Sequence, residues 1–176
     1  MNETKKKARI AGLIYLSMIF VAPFCLLYVP FLASFVALLL HSHDGVQRVL
    51  TFIAVTIASD IGGFAAGVLF GRHPMAPVVS PKKTWEGFAG SAVASLLVGV
   101  ACITWLLEDD WWVGLVLGAV AVVAATLGDL AESLIKRDLG IKDMGTLLPG
   151  HGGIMDRLDS LLATVAVAYL VLHFLV

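Results

Sequence analysis

The alternation of long apolar runs with short polar segments along the chain predicts membrane-spanning helices. A helix needs about twenty consecutive apolar residues to cross a bilayer. Five runs with few or no charges meet this requirement, at 10–40, 49–71, 85–107, 111–128 and 154–176. The first run is interrupted near Pro30 and contains either one tilted helix with a re-entrant piece or two short helices. The last run begins with charged residues, so its membrane part is nearer 161–176. The pattern predicts an all-α, polytopic transmembrane bundle of about five spans.

Composition supports a membrane protein and argues against a nucleic-acid-binding protein. Hydrophobic residues make up 59% of the chain and charged residues 14%, whereas soluble domains carry about 25% charged residues. The net charge of −1 gives no basic excess with which to displace counterions from nucleic-acid phosphates. Cys25 and Cys102 lie in separate apolar runs and match no metal-binding or redox spacing.

Charge asymmetry between the loops predicts how the chain is oriented. Basic residues precede the first run and occur in segments 72–84 and 129–160, whereas the loop at 108–110 is purely acidic. The positive-inside rule therefore places the N-terminus and both basic segments in the cytoplasm, provided that 10–40 crosses the membrane once. We expect a multi-pass protein of the cell inner (plasma) membrane with its active site facing the cytoplasm. The apolar stretch after "MNETKKKARI" runs on without a cleavage site, so we interpret it as a retained signal anchor.

The segment from 129 to 160 concentrates ionisable side chains of both signs. A helix that continues the fourth span would place Asp129, Glu132 or Ser133, and Lys136 on one face, which is also typical of a solvated helix end with ion pairs. Within the segment, four of the aspartates accompany four basic residues: Asp129, Asp143, Asp156, Asp159, Lys136, Arg137, Lys142 and Arg157. Carboxylates hold Mg²⁺, and basic groups neutralise the remaining phosphate charge. This mixture indicates a site for a polyphosphate bound through a divalent cation.

Glycines next to these charges indicate where a phosphate would dock. Gly152 and Gly153 precede an apolar helix, and the N–H groups at the start of a helix favour anions. No P-loop pattern is present, because that pattern needs Gly-Lys followed by Ser or Thr, and the segment has no Gly-Lys pair. His151 either contacts phosphate or caps the turn.

Two further features lie upstream. The Pro-punctuated loop in "GRHPMAPVVSPKKTWEG" holds Ser80, Lys82, Lys83 and Thr84, which either contact a phosphate or form an ordinary basic loop at anionic headgroups. Asp60 lies near the middle of the second span, where a carboxylate costs roughly 2.5–3.5 kcal/mol on insertion scales. It therefore either lines a polar cavity or is bonded to neighbouring helices. Gly63, Gly67 and Gly71 follow at four-residue spacing and offer a flat surface for helix packing.

The residues from Ser133 to Asp159 resemble the signature of the phosphatidate cytidylyltransferase family, the CDP-diacylglycerol synthases. The match consists of "SLIKR", four residues, "KDMG", and then "LPGHGGIMDRLD". It extends upstream through "LGDLAES" and "SPKKTWEGFAGS" to "SDIGGFAAGVLFG". Members of that family carry additional hydrophobic spans upstream. The resemblance covers the chain from about Asp60 to its end, and we divide the chain into an N-terminal span with a re-entrant or interfacial segment (1–48) and a CTP-transferase-like membrane catalytic domain (49–176).

The resemblance implies an activity and a role for each matched residue. Family members join CTP and phosphatidic acid to give CDP-diacylglycerol and pyrophosphate, using Mg²⁺. By this resemblance Asp129 and Asp156 are metal ligands and catalytic residues, with Asp143 and Asp159 as supporting carboxylates. The phosphates of CTP and of the lipid would be contacted by Ser133, Lys136, Arg137, Lys142, His151 and Arg157, with Lys136 and Arg137 also catalytic. Ser80, Lys82, Lys83 and Thr84 match a second substrate-binding motif, and Asp60 faces the substrate cavity. The expected partners are CTP, phosphatidic acid and the bilayer, and a homodimer is left open.

Other functional classes predict different products. A CTP-dependent lipid kinase would transfer the γ-phosphate and release CDP. A transporter or channel would use Asp60 and the glycines to line a path, but the charges cluster at one face instead of along a route through the membrane. The spaced aspartate pattern of CDP-alcohol transferases does not occur in the chain.

Overall fold

The computed structural model describes residues 30–77, 79–140 and 155–176, which are mostly helical. Described elements, in chain order, are α1 (Pro30–Leu40), α2 (Gly45–Phe70), β1 (Pro74–Ala76), β2 (Ser80–Thr84), α3 (Trp85–Leu106), α4 (Trp111–Leu139) and α5 (Met155–Leu175). The predicted helical class is confirmed, and a small β-hairpin is added to it.

Three of the described helices, α2, α3 and α4, are long and apolar enough to cross a membrane. At 1.5 Å per residue, their 22 to 29 residues give lengths of roughly 33–44 Å, which exceed the roughly 30 Å of bilayer hydrocarbon. Two shorter apolar helices, Pro30–Leu40 and Ser160–Leu175, fall in the first and last predicted runs. The predicted total of about five spans stays an expectation, because residues 10–29 of the first run lie outside the described residues.

Helix α2 begins at Gly45, four residues before the predicted start, and takes Arg48 into the bundle. Buried Arg48 donates a hydrogen bond from Nη1 to the main-chain oxygen of Leu172, near the end of α5. Its Nη2 donates to Asp44 Oδ2 at 3.4 Å. A buried cation is tolerated when it is paired and hydrogen-bonded. The helix start was predicted too late because the apolar pattern treated charged Arg48 as the end of the preceding loop.

The loop at 72–84 was predicted without regular structure, and that prediction was wrong. Strands β1 and β2 form an antiparallel hairpin, with Pro74 opposite Thr84, Ala76 opposite Ser80, and an irregularity between these pairs. Its three prolines obscured this, because proline removes the N–H group that a ladder uses. In a two-stranded ribbon each strand has one unpaired edge, where proline is accepted.

Glycines let α2, α3 and α4 pack closely in antiparallel order. A Cβ added at Gly62 would lie 2.6 Å from the main-chain oxygen of Gly90, and one at Gly90 would lie 2.6 Å from that of Gly62. Between α3 and α4, a Cβ at Gly99 would lie 2.5 Å from the oxygen of Gly114. Such small-residue contacts let helix backbones approach each other in membranes. The predicted glycine surface of α2 packs against α3, since Gly63, Gly67 and Gly71 all face Thr84, Gly87 or Ser91.

The antiparallel order brings one set of helix ends together. The end of α2, the hairpin, the start of α3 and the end of α4 lie at one end of the bundle, because Gly62 faces Gly90 and Gly99 faces Gly114. Helix α4 extends past the predicted span to Leu139 and is capped by Gly140, whose φ of 65° is the left-handed conformation that glycine accepts readily. An apolar core lies deeper in the bundle and includes Leu39, Phe52, Val55, Ile103, Val113, Leu117, Val165 and Leu172.

Candidate functional site

A cavity of about 610 Å³ lies between α2, the hairpin, α3 and α4. Its polar lining consists of Ser59, Asp60, Lys82, Lys83, Thr84, Ser91, Thr126 and Asp129. The apolar lining includes Phe64 and Val68 of α2. The cavity therefore combines carboxylates, ammonium groups and hydroxyls with an apolar wall.

Lys83 and Asp129 meet across this cavity. The Nζ atom of Lys83 lies 2.6 Å from Oδ2 of Asp129, although 46 residues separate them in sequence. Both side chains are partly exposed, at 25% and 32%, so the pair is accessible from the cavity. A charge-assisted contact of this length fixes the hairpin against α4. Segments 72–84 and 129–160 therefore contact each other through this pair.

Asp60 lines the same cavity and is bonded to a neighbouring helix as well. The hydroxyl of Ser160, on α5, donates to Asp60 Oδ2 at 3.3 Å. One residue earlier, the main-chain oxygen of Ser59 accepts a 2.7 Å hydrogen bond from Ser91 on α3. The two alternatives considered for Asp60, a cavity and a helix contact, are therefore both realised.

The hairpin is attached at its base and near its turn. At the base, Glu86 Oε2 accepts hydrogen bonds from the main-chain N–H groups of Arg72 and His73, each at 3.2 Å. Glu86 Oε1 lies 2.6 Å from His73 Nδ1. Near the turn, Arg137 Nε donates to the main-chain oxygen of Val79 at 2.6 Å. The strand that carries Lys82 and Lys83 is thereby held between α3 and α4.

The last turns of α4 carry a second ion pair. Lys136 Nζ lies 3.0 Å from Oε1 of Glu132, one helical turn earlier. Glu132 is 7% exposed, so this contact is buried on the Glu132 side. The contact is an ion pair without the alignment of a hydrogen bond.

The structure gathers part of the predicted site. Five predicted residues line the cavity: Asp60, Lys82, Lys83, Thr84 and Asp129. Ser80 lies in β2 outside the lining, while Ser133, Lys136 and Arg137 follow Asp129 on α4. Lys142, Asp143 and His151 lie outside the described residues. Asp156, Arg157 and Asp159 belong to the first turns of α5, but their side chains lie outside the described residues.

Three contact residues were not predicted as part of the site. Ser160 and Glu86 were overlooked because each acts on a partner far away in sequence, Asp60 and His73 respectively. Glu132 was considered only for its helix face, although its i,i+4 spacing from Lys136 is a recognised signal for an ion pair. Among the side chains that the structure describes, no group of three His, Cys, Asp or Glu residues could hold a metal ion.

These features define the class of protein: a helical protein with helices long and apolar enough to span a membrane, and a polar cavity of mixed charge built from helix ends and a hairpin. The sequence model of the cytidylyltransferase family matches residues 8–175. The chain belongs to this family.

Similar proteins share one name. A phosphatidate cytidylyltransferase of Mycobacterium bovis is 50% identical over 161 residues, which cover 92% of this chain and 53% of that protein. One from Mycobacterium leprae is 53% identical over 148 residues, covering 84% of this chain and 47% of that protein. One from Haemophilus influenzae is 40% identical over 147 residues, or 78% and 51% of the two chains. The chain spans about half the length of the curated relatives it matches.

Proposed function

We propose that this chain carries the catalytic region of a phosphatidate cytidylyltransferase, which joins CTP and phosphatidic acid to give CDP-diacylglycerol and pyrophosphate. The main supporting observation is the Lys83–Asp129 contact in a cavity that Asp60 also lines. These residues come from three separate segments, and each segment falls in the part of the chain that resembles the family. The names of the relatives support the same activity.

The cavity suits two substrates of different solubility. Lys82 and Lys83 supply positive charge for the phosphates of CTP. Phe64 and Val68 line the cavity and are 74% and 68% exposed on the outer surface of α2. The headgroup of phosphatidic acid would enter along this apolar wall while its acyl chains stay in the bilayer.

Mg²⁺ belongs to the proposal, and the described residues are compatible with it. Mg²⁺ prefers a few carboxylate oxygens and completes its shell with water and phosphate oxygens. Asp129 brings a carboxylate to the cavity and, with Asp156, would hold the ion, supported by Asp143 and Asp159. Bound Mg²⁺ would neutralise negative charge on the phosphates.

The reaction requires positioning more than proton transfer. An oxygen of the phosphatidate phosphate attacks the α-phosphorus of CTP in line, the new P–O bond forms, and the bond to pyrophosphate breaks. The attacking oxygen is already largely ionised near neutral pH, so no base is needed. Lys83 and Lys82 would offset charge on the phosphates while the hairpin holds the nucleotide against α4.

Location, orientation and assembly are also part of the proposal. We place the site on the cytoplasmic face of the inner membrane because both basic segments border it. The contacts of Lys83 and Arg137 with their partners bring these two segments to the same end of the bundle. A homodimer stays an expectation.

The position of the transferred label tests this proposal. Membranes containing the chain are incubated with phosphatidic acid, Mg²⁺ and each of the four NTPs, labelled at either the α- or the γ-phosphate. We expect lipid-bound label only from α-labelled CTP, with release of pyrophosphate. Lipid-bound γ-label with release of CDP would identify a lipid kinase instead and overturn the proposal.

A further inference from the structure

Glu86 has an unusual place at the start of α3. Thr84 is the N-cap residue, and its hydroxyl accepts the 3.1 Å hydrogen bond from the N–H group of Gly87. Glu86 is therefore not needed to cap its own helix. Its carboxylate instead binds the main chain 13 and 14 residues earlier, at the two residues that precede β1.

Both carboxylate oxygens of Glu86 are used there. Oε2 accepts from two successive main-chain N–H groups, those of Arg72 and His73, and Oε1 contacts the ring nitrogen Nδ1 of His73. The main-chain oxygen of His73 in turn accepts a 3.0 Å hydrogen bond from the N–H group of Trp85. The base of the hairpin is thus closed by a set of bonds that all join residues 72–73 to the first residues of α3.

The opposite side of the hairpin base carries the substrate-facing residues. Lys82, Lys83 and Thr84 line the cavity, and Lys83 reaches Asp129. Thr84 is the last residue of β2 and is followed directly by α3. A change in how residues 72–73 contact α3 therefore alters the position of β2 relative to the start of that helix. Glu86 itself does not line the cavity.

We propose that Glu86 is a positioning residue for the reaction: by binding Arg72 and His73 it fixes the hairpin base and so sets the place of Lys83 in the cavity. This inference rests on the proposed function for its kinetic consequence. Its structural consequence, the position of the hairpin relative to α4, does not depend on any activity.

Three variants separate positioning from general stability. Glu86→Ala removes all three contacts. Glu86→Gln keeps a carbonyl oxygen for the two N–H groups and offers an amide N–H to His73 Nδ1. His73→Ala removes only the ring contact, at a side chain that is 78% exposed, and leaves the bonds to Oε2. Glu108→Ala, in the acidic loop at the other end of the bundle, is the control.

The first measurement is kinetic. For Glu86→Ala we expect kcat/KM for CTP to fall at least about tenfold through a higher KM for CTP, because a displaced lysine binds the phosphates less well. The KM for phosphatidic acid should stay within about twofold of the unaltered chain. The KM for CTP of His73→Ala should lie between those of Glu86→Ala and the unaltered chain. The KM for CTP of Glu86→Gln should be close to that of the unaltered chain. A purely structural role would lower the active fraction and thus kcat, with KM unchanged.

The second measurement is a distance between spin labels at Pro77→Cys and Asp138→Cys, with Cys25 and Cys102 replaced by alanine. We expect a shifted or broadened distance for Glu86→Ala and an unchanged distance for Glu86→Gln and Glu108→Ala. An unchanged distance in Glu86→Ala, or a loss of activity in Glu86→Gln as large as in Glu86→Ala, would overturn the proposal. If the distance shifts but the unaltered chain transfers no cytidylyl group, the proposed function fails and the positioning of the hairpin stands.

Discussion

At the scale of single residues, Asp60 shows how one polar side chain in an apolar helix identifies a site. Its cost in a bilayer predicted a polar environment, and the structure supplies one in the cavity and in the Ser160 hydroxyl. The sequence did not identify Ser160, because the contact joins residues 100 positions apart. A charge in an apolar run therefore predicts that a partner exists, but not which residue it is.

Asp60→Asn should lower cytidylyl transfer at least about tenfold, equivalent to about 1.4 kcal/mol of transition-state stabilisation. The amide oxygen can still accept the bond from Ser160, so the helix contact is kept while the charge in the cavity is lost. Initial rates in membranes with equal amounts of inserted protein measure the effect. Asp109→Asn, at the other end of the bundle, is the control, and an unaffected Asp60→Asn would reduce Asp60 to a structural role.

At the scale of elements, the glycines of α2 and α3 determine how closely the cavity walls approach each other. Gly62 and Gly90 face each other across this contact, with no room for a Cβ on either. At Gly67 an added Cβ would meet its nearest neighbour, Thr84 Oγ1, at 3.5 Å, an ordinary contact distance. Substitution by alanine should therefore change the stability of the protein differently at these two kinds of position.

Gly90→Ala should destabilise the protein by about 1–3 kcal/mol, the usual cost of overpacking. Gly67→Ala should be neutral or stabilising, because alanine favours a helix over glycine by up to about 1 kcal/mol. Thermal unfolding of both variants in the same detergent tests this. Equal unfolding temperatures for the two variants would contradict the close packing of α2 on α3.

The elements also show what sequence could and could not predict. Helices α2, α3 and α4 follow from apolar runs, since length and hydropathy alone determine what can span a bilayer. The hairpin did not follow, because its prolines and short strands resemble a loop. Likewise, motif spacing located Lys83 and Asp129, but their contact depends on the antiparallel packing of three helices, which the spacing does not contain.

At the scale of the whole molecule, the antiparallel order of the helices places the hairpin and the end of α4 together and the acidic loop at the opposite end. Two contacts connect the two basic segments directly: the hydrogen bond from Arg137 to Val79 and the ion pair between Lys83 and Asp129. If the helices span the inner membrane as proposed, both segments must face the same side of it, and the positive-inside rule predicts that this side is the cytoplasm.

Single cysteines report this orientation. In a background with Cys25→Ala and Cys102→Ala, we expect Pro77→Cys and Asp138→Cys to react with a membrane-impermeant thiol reagent only after the cytoplasmic side is opened. Glu108→Cys should react from outside in intact cells. Labelling of Pro77→Cys and Asp138→Cys from opposite sides would be incompatible with the fold.

The central claim is that the Lys83–Asp129 cavity is where the nucleotide reacts, and one measurement tests it most directly: transfer of label from α-labelled CTP to phosphatidic acid by Asp129→Asn. We expect transfer to fall at least about 100-fold, as when a charge-stabilising group is removed from an active site, while the protein inserts normally. Asp138→Asn, on the exposed last turn of α4, should keep its activity. Near-normal transfer by Asp129→Asn would contradict the account.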